Sequence, residues 1–151
     1  MDEHDYVYRL KPLFVPGIAF LILYPLIIGS VNLIKKLPSM EVIILLGIYV
    51  ASGLGILALW IIGKSKHVQI KDSQIVFGSL LGEHTLKPQD IRRVAFYFDG
   101  NGREVAQIRT KDVFYYVNEL YFPFPELMSD LENFIRQYEL RSNLESYAGL
   151  N

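Results

Sequence analysis

The sequence predicts a membrane-anchored α+β protein. A membrane α-helical hairpin comes first, and a bent antiparallel β-sheet, a partial barrel closed by one C-terminal helix, follows it. Three observations carry that expectation. Two 22-residue stretches without a charge lie within the first 63 residues. Short alternating segments separated by turn residues follow from His67. An amphipathic segment beginning at Pro125 ends the ordered pattern.

The first apolar run is Leu13 to Ile34 and the second is Val42 to Gly63. At 1.5 Å per residue each spans about 33 Å, enough for a hydrocarbon core about 30 Å thick. A soluble core helix would carry a polar stripe at helical period, and neither run has one. Pro25 lies mid-run, where a bilayer tolerates a kink because the freed backbone groups find other partners. Pro16 falls in the first turn of this run, where a missing N–H costs little. The loop 35–41 (KKLPSME) is short, so the two helices form an antiparallel hairpin. The acidic N-terminal segment and the length of the first run argue against a cleaved signal peptide.

Gly47, Ala51 and Gly55 recur every four residues, a small-residue face that lets another helix approach closely. Packing within the hairpin is the preferred reading, and a homodimer contact is the other. Five cations, Arg9, Lys11, Lys64, Lys66 and Lys71, flank the runs on the side of the two termini, against Lys35 and Lys36 in the loop. The positive-inside rule therefore places both termini in the cytoplasm, in a multi-pass protein of the cell membrane.

The texture changes at Lys64. Strands are expected over 67–71, 74–80, 83–87, 91–98, 105–110 and 113–118; His67 to Lys71 alternates polar and apolar residues as a half-buried strand does, and Val94, Phe96 and Phe98 share one face. Asp72-Ser73 and Lys111-Asp112 join neighbouring strands. Asp99-Gly100-Asn101-Gly102 is the strongest hairpin signal in the chain, since Gly and Asn accept positive φ. In the last helix Pro125 suits the first turn and Glu126 complements the positive end of the dipole. Leu127, Leu131, Phe134 and Tyr138, with Met128 and Ile135, form its apolar stripe. The segments are thus 1–12 (cytoplasmic N-terminus), 13–34 and 42–63 (membrane helices), 64–140 (the sheet domain) and 141–151 (a frayed tail).

The order of these elements, with the strand pair VQIKDSQIVF, the segment HTLKPQDIRRVAF and the closing helix PELMSDLENFI, resembles the bacterial PH-like domains, membrane-anchored relatives of pleckstrin-homology and GRAM domains. In HTLKPQDIRRVAF, Ile91 to Val94 follows a polar turn in the manner of that family's strand-turn-strand element. The resemblance implies a bent sheet closed by the helix. One departure is the strand count, six where a complete PH barrel has seven. The seventh lies within Glu83–Arg93, is supplied by Tyr6–Leu10, or is absent.

Composition and motifs narrow the function. Hydrophobic residues are 51% and charged residues 21%, which excludes a disordered chain. The net charge of −1 offers no basic field for nucleic acid. Cysteine is absent, which removes disulfides, thiolate metal sites and thiol nucleophiles. The three histidines, His4, His67 and His84, form no metal-ligand spacing. The DGNG turn fails as a calcium loop, because Tyr97 and Ile108 would fall at ligand positions. No phosphate-binding or nucleophile-elbow motif is present, so no cofactor and no enzymatic activity are expected. The first function expected is a non-enzymatic protein-interaction or scaffold module at the lipid bilayer, with a protein partner or a second copy. The alternative is anionic-lipid binding through Lys64, Lys66 and Lys71, with Arg92-Arg93 pointing to opposite faces. The dense aromatics of 114–124 are assigned to the core and to the entry of the helix, with a binding rim as the other reading.

Overall fold

The computed structural model describes residues 4–148. It contains eight strands and four α-helices in the order β1 (His4–Tyr8), α1 (Lys11–Lys35), α2 (Ser39–Lys64), β2 (His67–Lys71), β3 (Gln74–Ser79), β4 (Gly82–Leu86), β5 (Arg93–Phe98), β6 (Glu104–Arg109), β7 (Phe114–Asn118), β8 (Tyr121–Phe122), α3 (Phe124–Gln137) and α4 (Leu144–Ala148). They divide into two compact units. One is 10–63, and the other joins the N-terminal segment to everything from Lys64 onward.

In the helical unit, α1 and α2 are long and apolar enough to cross a membrane. They exceed the uncharged runs at both ends, and only 36–38 remain between them. The extra residues are Lys11-Pro12, Lys35, Ser39–Glu41 and Lys64. Because α1 starts at Lys11, Pro12 takes the first turn, and Pro16 and Pro25 both lie inside the helix. Proline at 25 removes the N–H that would bond the carbonyl of Leu21. The Tyr49 hydroxyl of α2 donates to that carbonyl at 3.0 Å. Tyr24 donates in return to the carbonyl of Leu45 at 3.2 Å, and the two tyrosine rings stack 5.6 Å apart. The carbonyl that Pro25 leaves without a partner in its own helix is thus served by the neighbouring helix.

The second unit holds two antiparallel sheets, five-stranded β4-β3-β2-β1-β8 and three-stranded β5-β6-β7, with no closed barrel among the described residues. The six expected strands are present within one or two residues at each end, and two more join them. β1, from before the hairpin, pairs with β2, from after it, in the register Tyr6↔Val68 and Val7↔His67. The Tyr6–Leu10 alternative for an additional strand is therefore the one observed, two residues earlier. β8 pairs with the other edge of β1 through Val7↔Phe122 and Tyr8↔Tyr121.

One core joins the sheets and α3. Tyr6, Val68, Ile75, Val94, Phe96 and Ile108 line it, and Leu127, Leu131 and Phe134 of α3 close it with Met128 and Ile135. Tyr6 reaches through the core, and its hydroxyl donates to Asp130 on α3. Burial, reinforced by the neighbouring carboxylate, holds this phenol well above the ordinary tyrosine range.

The segment after α3 departs from expectation. Residues 141–148 dock along the exposed edge of β5. The Val94 N–H donates to the Arg141 carbonyl at 2.9 Å. The Asn143 side chain clasps the Phe96 backbone from both sides, accepting from its N–H at 2.7 Å and donating to its carbonyl at 2.8 Å. Leu144 and Tyr147 are buried, and the Tyr147 hydroxyl donates to Glu104. These contacts cover a sheet edge that would otherwise invite pairing with another chain. The frayed tail expected from 141 onward is therefore an ordered strap through 148; the remainder, like residues 1–3 of the N-terminal segment, lies outside the described residues.

Candidate functional site

Two surfaces of the sheet unit present functional groups. The first is the root end of the five-stranded sheet, where the chain leaves β1 for α1 and enters β2 from α2. The Tyr8 N–H donates to the Lys66 carbonyl at 3.1 Å, and the Arg9 N–H to the Leu120 carbonyl at 2.6 Å, which ties both chain crossings together. The Arg9 guanidinium lies 3.4 Å over the Phe122 ring, and the Lys66 ammonium 5.4 Å from the Tyr8 ring centre. Tyr8 meets Tyr121 edge-on at 5.1 Å. Each aromatic face attracts a cation electrostatically and keeps it beside the root. Burial raises the Tyr8 phenol, and burial with the nearby Tyr8 pushes Tyr121 up to about 12.

The structure brings only some of the sequence-selected cations together. Lys64 ends α2 and Lys66 stands two residues on, both at the root. Lys71 occupies the far end of β2, opposite Gln74. Five residues of extended chain separate it from Lys66 by about 16 Å. Arg9, which the sequence counted only for orientation, lies at the same end of the sheet as Lys66. The signal for it was β1 itself, whose pairing with β2 fixes Arg9 at the root.

The second surface is the outer face of β5-β6-β7. The register aligns Arg93, Arg109 and Phe114 in one row, Ala95, Gln107 and Tyr116 in the next, and Tyr97, Val105 and Asn118 in the third. Tyr97, Phe114 and Tyr116 are exposed by 40%, 48% and 49%. The Gln107 amide donates to the Tyr116 hydroxyl at 2.9 Å, and Arg109 lies 5.5 Å from the Phe114 ring centre. The aromatics assigned to the core thus split. Tyr121 is buried and Tyr115 and Phe124 are partly buried against the core, whereas Phe114, Tyr116 and Phe122 stand outside. At the end of this sheet Asp99 accepts the N–H groups of Asn101 and Arg103 at 2.8 and 2.9 Å, and these bonds hold its carboxyl below the ordinary range. That is the DGNG hairpin expected from sequence, with Gly102 at φ 75°.

The small-residue stripe lies away from the hairpin seam. A Cβ on Gly53 would touch Leu21, and one on Gly17 would press on Ile56 at 3.3 Å, so these two glycines mark where the helices approach. A Cβ on Gly47 or Gly55 meets nothing within 4 Å, and Ala51 is exposed. At 100° per residue Gly53 lies about 200° from Ala51, on the opposite side of α2. The preferred reading, in which Gly47, Ala51 and Gly55 pack against α1, gives way to an outward-facing stripe.

Among the described residues no group of three His, Asp or Glu could hold a metal ion. No family model, no curated protein and no solved structure matches this chain.

Proposed function

We propose that the chain is a two-pass membrane protein carrying a PH-like domain at the cytoplasmic face, and that this domain is a non-enzymatic module that binds another protein. The membrane reading is supported by surface chemistry. Residues such as Leu33, Ile34, Ile43 and Leu54 are exposed by 83%, 81%, 64% and 62%, on helices with almost nothing buried. In water that surface would far exceed what a monomer leaves uncovered. The β1–β2 pairing requires both flanks of the hairpin on one side, and the basic excess of those flanks favours the cytoplasm.

The observation that carries the binding function is the outer face of β5-β6-β7. It combines three exposed aromatics with Arg93 and Arg109 on a rigid sheet, the residue types enriched where proteins meet. The experiment is co-purification of the full-length protein in mild detergent, beside a Phe114→Ala/Tyr116→Ala variant of unchanged thermal stability. A partner, or a second copy, retained by the parent and lost by the variant is the expected result. No reproducible partner, or one held equally by both, overturns the reading.

A second reading, anionic-lipid binding, is favoured by Arg9 and Lys66 poised on aromatic faces at the root. Each cation near an anionic surface contributes about 1 kcal/mol. Equal retention of phosphatidylserine and phosphatidylcholine from mixed-lipid detergent micelles, on the purified parent and on an Arg9→Gln/Lys66→Gln variant, would leave no lipid preference to explain. A preference for phosphatidylserine that the double variant loses is expected.

A further inference from the structure

We propose that the Leu80–Leu81 turn is a third membrane contact, dipping into the interfacial layer of the bilayer beside the two helices; the inference rests on the two-pass reading above. Leu80 and Leu81 are the two central residues of the β3–β4 hairpin, bracketed by the pair Ser79↔Gly82. Leu81 is 96% exposed and Leu80 58%. Turns in water take Gly, Asn, Asp, Ser or Pro, which either accept the backbone angles or hydrogen-bond the turn. Here Gly82, at φ 129°, and the Ser79 hydroxyl, which donates to the Gly82 carbonyl, do that work. The leucines contribute nothing to the turn and expose two large apolar side chains.

Their place in the sheet supplies the reason. β2 begins three residues after Lys64, where α2 ends, and runs away from the root. β3 returns, with Gly78 opposite His67. Leu80 therefore lies about 7 Å beyond the His67 row, at the end of the sheet where the chain enters β2 from Lys64, and one strand spacing to the side. The other turn of this sheet strand pair, at the far end, is Asp72-Ser73, and the remaining hairpins carry Asp99–Gly102 and Lys111-Asp112. Among the described hairpin turns, only the tip at the root end is built on two large apolar residues. Its charged surroundings suit a headgroup layer: Lys66 and Arg9 sit at the same end. The acid that follows the turn, Glu83, faces the His67 imidazole at 3.6 Å across Gly78. A Cβ on Gly78 would come within 1.9 Å of the His67 ring, so the imidazole lies directly over this glycine and would have to move to admit a side chain. With α1 and α2, the tip gives the domain three points of attachment, which fixes a face of the sheet toward lipid instead of leaving it to swivel.

The absence of cysteine allows a direct test on the full-length protein in phosphatidylcholine/phosphatidylserine vesicles. Single nitroxide labels at Leu81→Cys, Ser73→Cys and Leu54→Cys would be probed with oxygen, which concentrates in lipid, and with a water-soluble nickel chelate. The label at 81 should favour oxygen over the chelate severalfold relative to that at 73, because lipid concentrates oxygen and excludes the polar chelate. The label at 54 should favour oxygen as well. If 54 favours oxygen while 81 behaves like 73, the membrane reading stands and the third contact is overturned. If 54 meets the chelate freely, both fall. A label at 81 shielded from both reagents would assign the tip to a protein partner and likewise overturn the proposal.

Discussion

Asn143 does for β5 what a neighbouring strand would do, satisfying the N–H and the carbonyl of Phe96 with one amide. Alanine there strands two backbone groups at a sheet edge, and the expected loss is about 1–3 kcal/mol, measured as a lowered unfolding midpoint in detergent. The buried phenols make a second prediction. Tyr121 ionises near 12 and Tyr6 and Tyr8 are also raised, whereas an unfolded tyrosine loses its proton near 10. The unfolded chain thus binds fewer protons between those values. The contribution of these groups is complete below about pH 10 and is lost as pH rises toward 12 and beyond. Absorbance titration of phenolate should show a fraction of the ten tyrosines lagging the rest, and Tyr121→Phe should reduce that fraction. None of these pairings was visible in the chain itself. Asn143 and Phe96 are 47 residues apart, and Tyr6 and Asp130 are 124 apart, so no local pattern announces them.

The elements divide by what stabilises them. The six central strands were readable because turn residues separate short segments, some of which alternate as β2 does, and α3 because it buries the residues its helical spacing selects. β1 and α4 were not, because each owes its existence to distant partners: β1 to a strand beyond the whole hairpin, α4 to the edge of β5. The same contrast applies to the hairpin. Uncharged length revealed both helices, but the seam is set by Gly17, Gly53 and the two tyrosines, while the more regular Gly47–Ala51–Gly55 stripe faces outward. Tyr49→Phe withdraws the donor that serves the Leu21 carbonyl opposite Pro25. Interhelical hydrogen bonds in bilayers average about 0.6 kcal/mol and reach about 1.7, and the upper part of that range is expected because proline leaves this carbonyl no donor in its own helix. Denaturation by sodium dodecyl sulfate, followed through Trp60, the single tryptophan, measures it. An unchanged transition would show that the bond is not made.

At the level of the molecule, the sheet unit is built from both sides of the hairpin, and this ties topology to folding. In the proposed two-pass arrangement β1 pairs with β2 only after the chain has crossed the bilayer and returned. The exposed aromatic face and the leucine tip then belong to one compartment, and the partner search begins there. The absence of cysteine permits single-cysteine mapping of that compartment. One position is Ser39, exposed at the start of α2, and another is Lys111, exposed in the β6–β7 turn. Each variant would be treated in intact cells with a membrane-impermeant maleimide, with lysed cells as the control. Labelling of 39 but not 111 before lysis is the result this account requires. Labelling of 111 alone would place the sheet domain outside the cell, and labelling of both would contradict a hairpin that separates them by a membrane.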